Sequence, residues 1–253
     1  MTHAGEASLT GAGFNLGTIL HNAWTLFARH FATFVALSAV TMLPMIVIAE
    51  LMIDQRSAGF SFGKLVVLLV ASTALGSVGA AVILYGALQG IRGRPVSALE
   101  SLRVVLPHVG PVIALAVMNG LALMVGCLLL VVPGVILATI LFAAIPACVA
   151  ERLGPLESWH RSAELTKGHR WRVFWLIVLL FVISQIIDKG LLQAVLGSDR
   201  TAAVALLSYA WSTVFYAYEY VVIAVAYVQL RALKDGLNAE HIAEALTPPA
   251  VAT

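Results

Sequence analysis

The sequence predicts an all-α, polytopic membrane protein: six transmembrane helices plus three short cytoplasmic interfacial amphipathic helices. Three observations carry this expectation. Hydrophobic residues make up 60% of the 253 and charged residues 11%, where soluble domains hold roughly 45–50% and ~25%. Mean hydropathy is +0.95, and a soluble fold of this length has too little interior to hide that much apolar surface. Residues 104–150 hold no Asp, Glu, Lys or Arg, and a densely charged stretch then runs from Glu151 to Arg172. That uncharged segment is about twice the ~20 residues one bilayer crossing needs.

Six apolar runs are long enough to matter: 31–53, 65–91, 109–132, 134–150, 173–187 and 201–230. The fourth and fifth, at about 16 residues or roughly 24 Å, need flanking residues or a thinner bilayer to finish a crossing. Pro133-Gly134 is expected to close the turn between the third and fourth. Trp171 and Trp175 fall where an interfacial aromatic belt is expected. Residues 1–13 read as a disordered segment without signal-peptide character, so the first span is expected to be retained. Residues 14–236 form the membrane domain, and 237–253 a polar tail in which Pro248-Pro249 disfavour helix.

Lys and Arg set the orientation. With six spans, one side holds eleven of them: Arg29, Arg92, Arg94, Arg103, Arg152, Arg161, Lys167, Arg170, Arg172, Arg231 and Lys234. The other holds four: Arg56, Lys64, Lys189 and Arg200. Both termini are therefore expected in the cytoplasm. The net charge of +2 matters less than this asymmetry.

Three cytoplasmic segments have amphipathic spacing. In 15–29, Leu16, Ile19, Leu20, Ala23 and Phe27 share a face and Asn15 can cap. In 97–106, Ser97 and Glu100 have capping-box spacing, and Leu99, Leu102 and Leu106 line one side. In 155–167, Pro155 suits the first turn, Gly168 the position past the end, and Leu156, Trp159 and Ala163 form a stripe. Each precedes an odd-numbered span, so the chain reads as three units of surface helix, span, span. Leu99-Glu100-Ser101 recurs as Leu156-Glu157-Ser158.

Stretch 128–174 resembles the membrane domain of some bacterial glycerophosphodiester phosphodiesterases and the related YciC-like family of inner-membrane proteins. The matching residues are Pro133-Gly134, Pro146, Glu151, Gly154-Pro155, Arg161-Ser162, Leu165-Thr166, Gly168 and Trp171-Arg172. Gly17, Ile19, Trp24, Phe31, Leu43-Pro44 and the stretch 227–236 look similar too. The resemblance implies a six-helix protein of the bacterial inner membrane. The phosphodiesterase barrel needs its own domain of roughly 250 residues, and its His-Arg-Gly start is missing: Ser162 follows His160-Arg161, and Trp171 follows His169-Arg170. That activity is not expected here.

Several polar residues are candidates for function. Glu219 lies twelve residues before Arg231, about 18 Å into a ~30 Å hydrocarbon layer. An acid there is by default a functional hypothesis, a proton or cation site. Its structural alternative is a neutral Glu hydrogen-bonded among Tyr209, Tyr216, Tyr218 and Tyr220. Asn119 suits a helix–helix hydrogen bond or a ligand. Asp188, Lys189 and Glu50 suit the outer interface. Glu151, Arg161, Lys167, Arg170 and Arg172 form a candidate headgroup or partner surface, where each cation adds about 1 kcal/mol toward anionic lipid. Ser72, Gly76, Gly79, Ile83, Gly86 and Gly90 share a face, with Gly86 and Gly90 at GxxxG spacing for packing within the bundle or in a dimer.

The sequence has no HExxH, paired-Cys, GxSxG or phosphate-loop motif, so no catalytic residue, metal or cofactor is expected. Cys127 and Cys148 sit inside apolar runs and imply no disulfide framework. The basic loop is too short and mixed for nucleic acid. The expected role is a non-enzymatic, structural, lipid-associated or partner-binding membrane component, with membrane lipid and a protein partner or second copy as binding classes. The alternative is a small transporter or channel subunit using Glu219.

Overall fold

A computed structural model describes residues 14–54, 62–186 and 202–236, with side chains over 14–43, 73–130, 132–186 and 206–236. Asp188, Lys189 and both chain ends lie outside the described residues, as does the side chain of Glu50. All regular structure among the described residues is helical: α1 (Leu16–Arg29), α2 (Phe31–Asp54), α3 (Phe62–Ile91), α4 (Ala98–Val105), a 3-10 turn (Leu106–His108), α5 (Val109–Leu129), α6 (Val131–Leu141), α7 (Ala144–Glu151), α8 (Pro155–Thr166), α9 (Arg170–Gln185) and α10 (Ala202–Asp235).

Among the described residues, four helical stretches are long and apolar enough to cross a membrane: Thr73–Ile91, Ala98–Leu129, Val132–Glu151 and Leu206–Asp235. The bent pair α1 and α2, turned 90° at His30, makes a fifth if counted as one span. The chain is thus a helical membrane protein. The described part of α9 is 16 residues, shorter than one crossing needs.

The core is the packing of α3 and α10 on α1, α2 and α7. Ala80 to Gln89 of α3 is buried without interruption, and so is Ala224 to Leu230 of α10. The small face of α3 is filled from the same chain: a Cβ on Gly90 would sit 2.7 Å from Leu26 Cδ1, and one on Gly86 3.2 Å from Val96 Cγ1. The close approach that GxxxG spacing permits is therefore made to α1, α2 and the turn into α4. Hydroxyls tie α10 to its neighbours. Tyr209, Tyr216 and Tyr218 donate to the carbonyls of Ala39, Gly76 and Leu20, at 2.9, 3.1 and 3.3 Å. Ser38 donates to Thr213 O at 2.7 Å. Helix carbonyls have a second lone pair for such bonds.

The turn between α5 and α6 differs from expectation. It is a single extended residue, Leu130. Pro133-Gly134 instead lies in the first turn of α6, where a proline's missing N–H has no intrahelical partner to lose. Gly134 serves close approach: a Cβ there would stand 2.4 Å from Cys127 Sγ and 3.1 Å from Cys127 N. So short a connection forces the two backbones together, and Gly126 and Gly134 make room.

The segments with amphipathic spacing are helical, and the structure fixes which of their faces are buried. Residues 98–129 form one continuous helical stretch of 32 residues, because Pro107 occupies an initial turn and breaks nothing. At the start of both α4 and α8 a leucine faces outward and a serine inward: Leu99 is 58% and Leu156 63% exposed, while Ser101 and Ser158 are 1% and 0% exposed. Each serine donates to the carbonyl of its helix's capping residue, Ser97 O at 2.9 Å and Gly154 O at 2.8 Å. The recurring Leu-Glu-Ser thus occupies the same positions in two helices. In α1 the expected face is the inward one, with Ile19, Ala23 and Phe27 buried and Asn15 Oδ1 accepting from Gly17 N at 3.0 Å.

Gly134→Ala should lower stability by about 1–3 kcal/mol, the usual cost of overpacking a tight contact. Reversible unfolding in mixed micelles measures it, and an unchanged midpoint would contradict the Gly126–Gly134 crossing.

Candidate functional site

The fourth apolar run is not one uninterrupted helix. Pro146 cannot donate to Phe142 O, and the ladder opens at Phe142 and Ala143 between α6 and α7. Ser162 of α8 fills the gap. Its Oγ donates to Ile140 O at 2.6 Å and accepts from Ala143 N at 3.0 Å. α7 then ends at Glu151, with Arg152 in the left-handed region (φ 54°) at the cap. Three residues later α8 begins. Glu157 accepts from Gly154 N–H at 3.0 Å, and Pro155 occupies the first helical position.

This corner brings α7, α8 and the end of α10 together around Arg161. Its Nε donates to both oxygens of Glu151 at 3.2 and 3.1 Å, Nη2 donates to Asp235, and Nη1 donates to Glu164 at 3.4 Å. Tyr227 donates to Glu151 at 2.7 Å, and Arg231 Nε lies 3.4 Å from Asp235 and 3.8 Å from Glu151. Burial opposes the Arg161 charge, but Asp235 and Glu151 outweigh it and hold the guanidinium above its ordinary range. The side chains of Arg161, Glu151 and Arg231 are only 17, 16 and 11% exposed.

The candidate surface residues therefore separate. Glu151 and Arg161 are committed to each other inside the protein. Lys167 and Arg170 are exposed, and Arg172 donates to Phe14 O at 2.8 Å. His169, beside them, is held below the ordinary imidazole range by partial burial and by the positive charges of Arg172 and Lys234. Trp171 is 70% exposed and forms an aromatic cluster with Phe174 and Trp175. Asn119 accepts from Trp159 Nε1 at 2.6 Å, so it links α5 to α8. Trp159 also lines an apolar groove of about 500 Å³ with Met118, Leu121, Val125, Leu129 and Leu137.

Glu219 is separate from this corner. It lines a second cavity, about 210 Å³, with Met42, Ser184, Trp211, Ser212, Phe215 and Tyr216. The expected tyrosine partners are engaged elsewhere: Tyr209, Tyr216 and Tyr218 on backbone carbonyls, and Tyr220 against the Tyr216 ring. Among the described residues Glu219 makes no hydrogen bond or ion pair. No three His, Cys, Asp or Glu among the described residues gather as metal ligands would.

Sequence reasoning named Tyr227 and Asp235 only within a similar-looking stretch, although Tyr227, Arg231 and Asp235 stand at i, i+4 and i+8, on one helical face. It did not identify the role of Ser162. No protein-family model, curated protein or solved structure matches the chain.

Arg161→Ala leaves Glu151 and Asp235 short of their main counter-charge. It should cost about 2–4 kcal/mol, near the 3–5 typical of a broken buried pair. Arg161→Lys should recover less than half, because an ammonium lacks the guanidinium fork. Equal unfolding midpoints for wild type and Arg161→Ala would refute the network's structural role. Because the His169 pKa is depressed in the folded state, its contribution is present above about pH 6.5 and is lost as pH falls through the folded value. His169→Gln should flatten the stability profile in that window, read by thermal melts from pH 7.5 to 5.

Proposed function

We propose that this chain is a non-enzymatic, lipid-associated structural component of the bacterial inner membrane, grouped with the YciC-like proteins. In this reading it has six spans, cytoplasmic termini, and α1, α4 and α8 at the cytoplasmic interface. The carrying observation is the equivalent arrangement of α4 and α8. Both bury a first-turn serine, Ser101 or Ser158, and expose the leucine two residues before it, Leu99 or Leu156, which suits a helix whose outer face meets lipid rather than water. Three further features support it. Lys167, Arg170 and Lys234 are exposed cations around one edge of α8 and the end of α10. Trp171 and Trp175 stand exposed beside them, as interfacial aromatics do. The groove beside Trp159, about 500 Å³ and lined by apolar side chains, suits an acyl chain. The ion network braces this surface rather than forming a reactive site, since its charged groups already engage one another.

Lys167→Gln combined with Arg170→Gln should weaken retention of anionic phospholipid about thirtyfold, from about 1 kcal/mol for each cation. Co-purified lipid measured by native mass spectrometry tests this, and unchanged selectivity over zwitterionic lipid would refute the headgroup role. Lys167→Cys in a Cys127→Ala background should be labelled by an impermeant maleimide only from the cytoplasmic side. Labelling from outside would overturn the orientation.

A further inference from the structure

We infer that the cavity at Glu219 binds a small apolar organic ammonium ion, independently of the lipid-facing role proposed above. The first ground is the acid itself. Glu219 stands in the fourth of the membrane-length stretches, Leu206–Asp235, where a carboxyl group needs a partner. Among the described residues it has none, because the neighbouring tyrosines are spent on the carbonyls of α1, α2 and α3. The second ground is the space in front of it. About 210 Å³ corresponds to roughly seven waters at ~30 Å³ each, far more than one proton or a bare metal ion fills.

The third ground is the chemistry of the wall. Trp211, Phe215, Tyr216 and Met42 line the cavity together with a single carboxylic acid, Glu219. Ser184 already donates to Phe181 O at 2.8 Å, so one carboxylate and two hydroxyl oxygens are the side-chain acceptors apart from the tyrosine. Hard metal cations take roughly six to eight oxygens, and this wall is too poor in oxygen for that. An organic ammonium needs fewer acceptors. Its charge sits against the carboxylate and ring faces, and its alkyl groups replace the lost water. Met42 comes from α2, Ser184 from α9 and the rest from α10, so the site exists only where these helices meet.

The test uses the full chain in lipid nanodiscs, titrated calorimetrically with benzyltrimethylammonium. Its uncharged isostere, neopentylbenzene, serves as control. Wild type should bind the cation saturably, with one site per chain and at least tenfold more tightly than the isostere. Glu219→Gln, nearly isosteric, should lose at least tenfold in affinity while keeping its melting profile. Trp211→Leu should lose three- to tenfold, and it decides the matter if Glu219→Gln fails to fold. Absence of saturable binding, equal binding of the neutral isostere, or unchanged affinity in the decisive variant would each overturn the proposal.

Discussion

A helix interrupted within an apolar run leaves backbone groups that hydrocarbon cannot satisfy, and the break at Phe142 and Ala143 is the constraint on which the polar corner around α8 depends. Pro146 opens the ladder, and Ser162 Oγ closes it from another helix by donating to Ile140 O and accepting from Ala143 N. That requirement puts α8 against α6 and α7 with its hydroxyl face inward. Once α8 is so placed, Arg161, the residue before Ser162, reaches Glu151 at the end of α7 and Asp235 at the end of α10. A local backbone defect and a long-range ion network are thus two parts of one junction.

The same logic explains why α8 exposes Leu156 yet buries Ser158, Ser162 and Thr166 beside Leu165. In a soluble protein the inward face of a helix is the apolar one, because water stands outside. Here the inward face has backbone carbonyls and tight helix contacts to serve. Ser158, Ser162 and Thr166 are small enough for close approach, and each hydroxyl reaches a carbonyl. α4 repeats this with Ser101. The Leu-Glu-Ser recurrence, only three residues long, marks equivalent first turns of two helices.

Much of the architecture was legible because apolar length and proline or glycine punctuation act locally. The Asn15 and Ser97 caps, the end of α7 at Glu151 and the start of α8 at Pro155 all lie where the residues indicated. The turn at Pro133-Gly134 was misplaced for a specific reason. That pair marks both turns and the first turn of a helix, and the glycine here serves the crossing with Gly126 rather than a chain reversal. The leucines of α4 and the start of α8 were legible as a distinct face, but periodicity does not say which neighbour such a face meets. The tyrosines near Glu219 could not be assigned from spacing, since their acceptors belong to helices 140–198 residues away along the chain.

By itself the sequence determined a helical membrane protein, since apolar content and run length are sums over residues and need no knowledge of neighbours. It also determined where charge gathers and which helix starts are capped. Only the tertiary structure decided which polar groups meet. Arg161 is spent on three carboxylates while Lys167 stays exposed, Asn119 is taken by Trp159, and Glu219 is left facing an aromatic cavity. The physical reason is that pairing depends on distance in space. Helices brought together by small residues and backbone hydrogen bonds place groups more than a hundred residues apart within 3 Å, and no local pattern encodes which of them will meet.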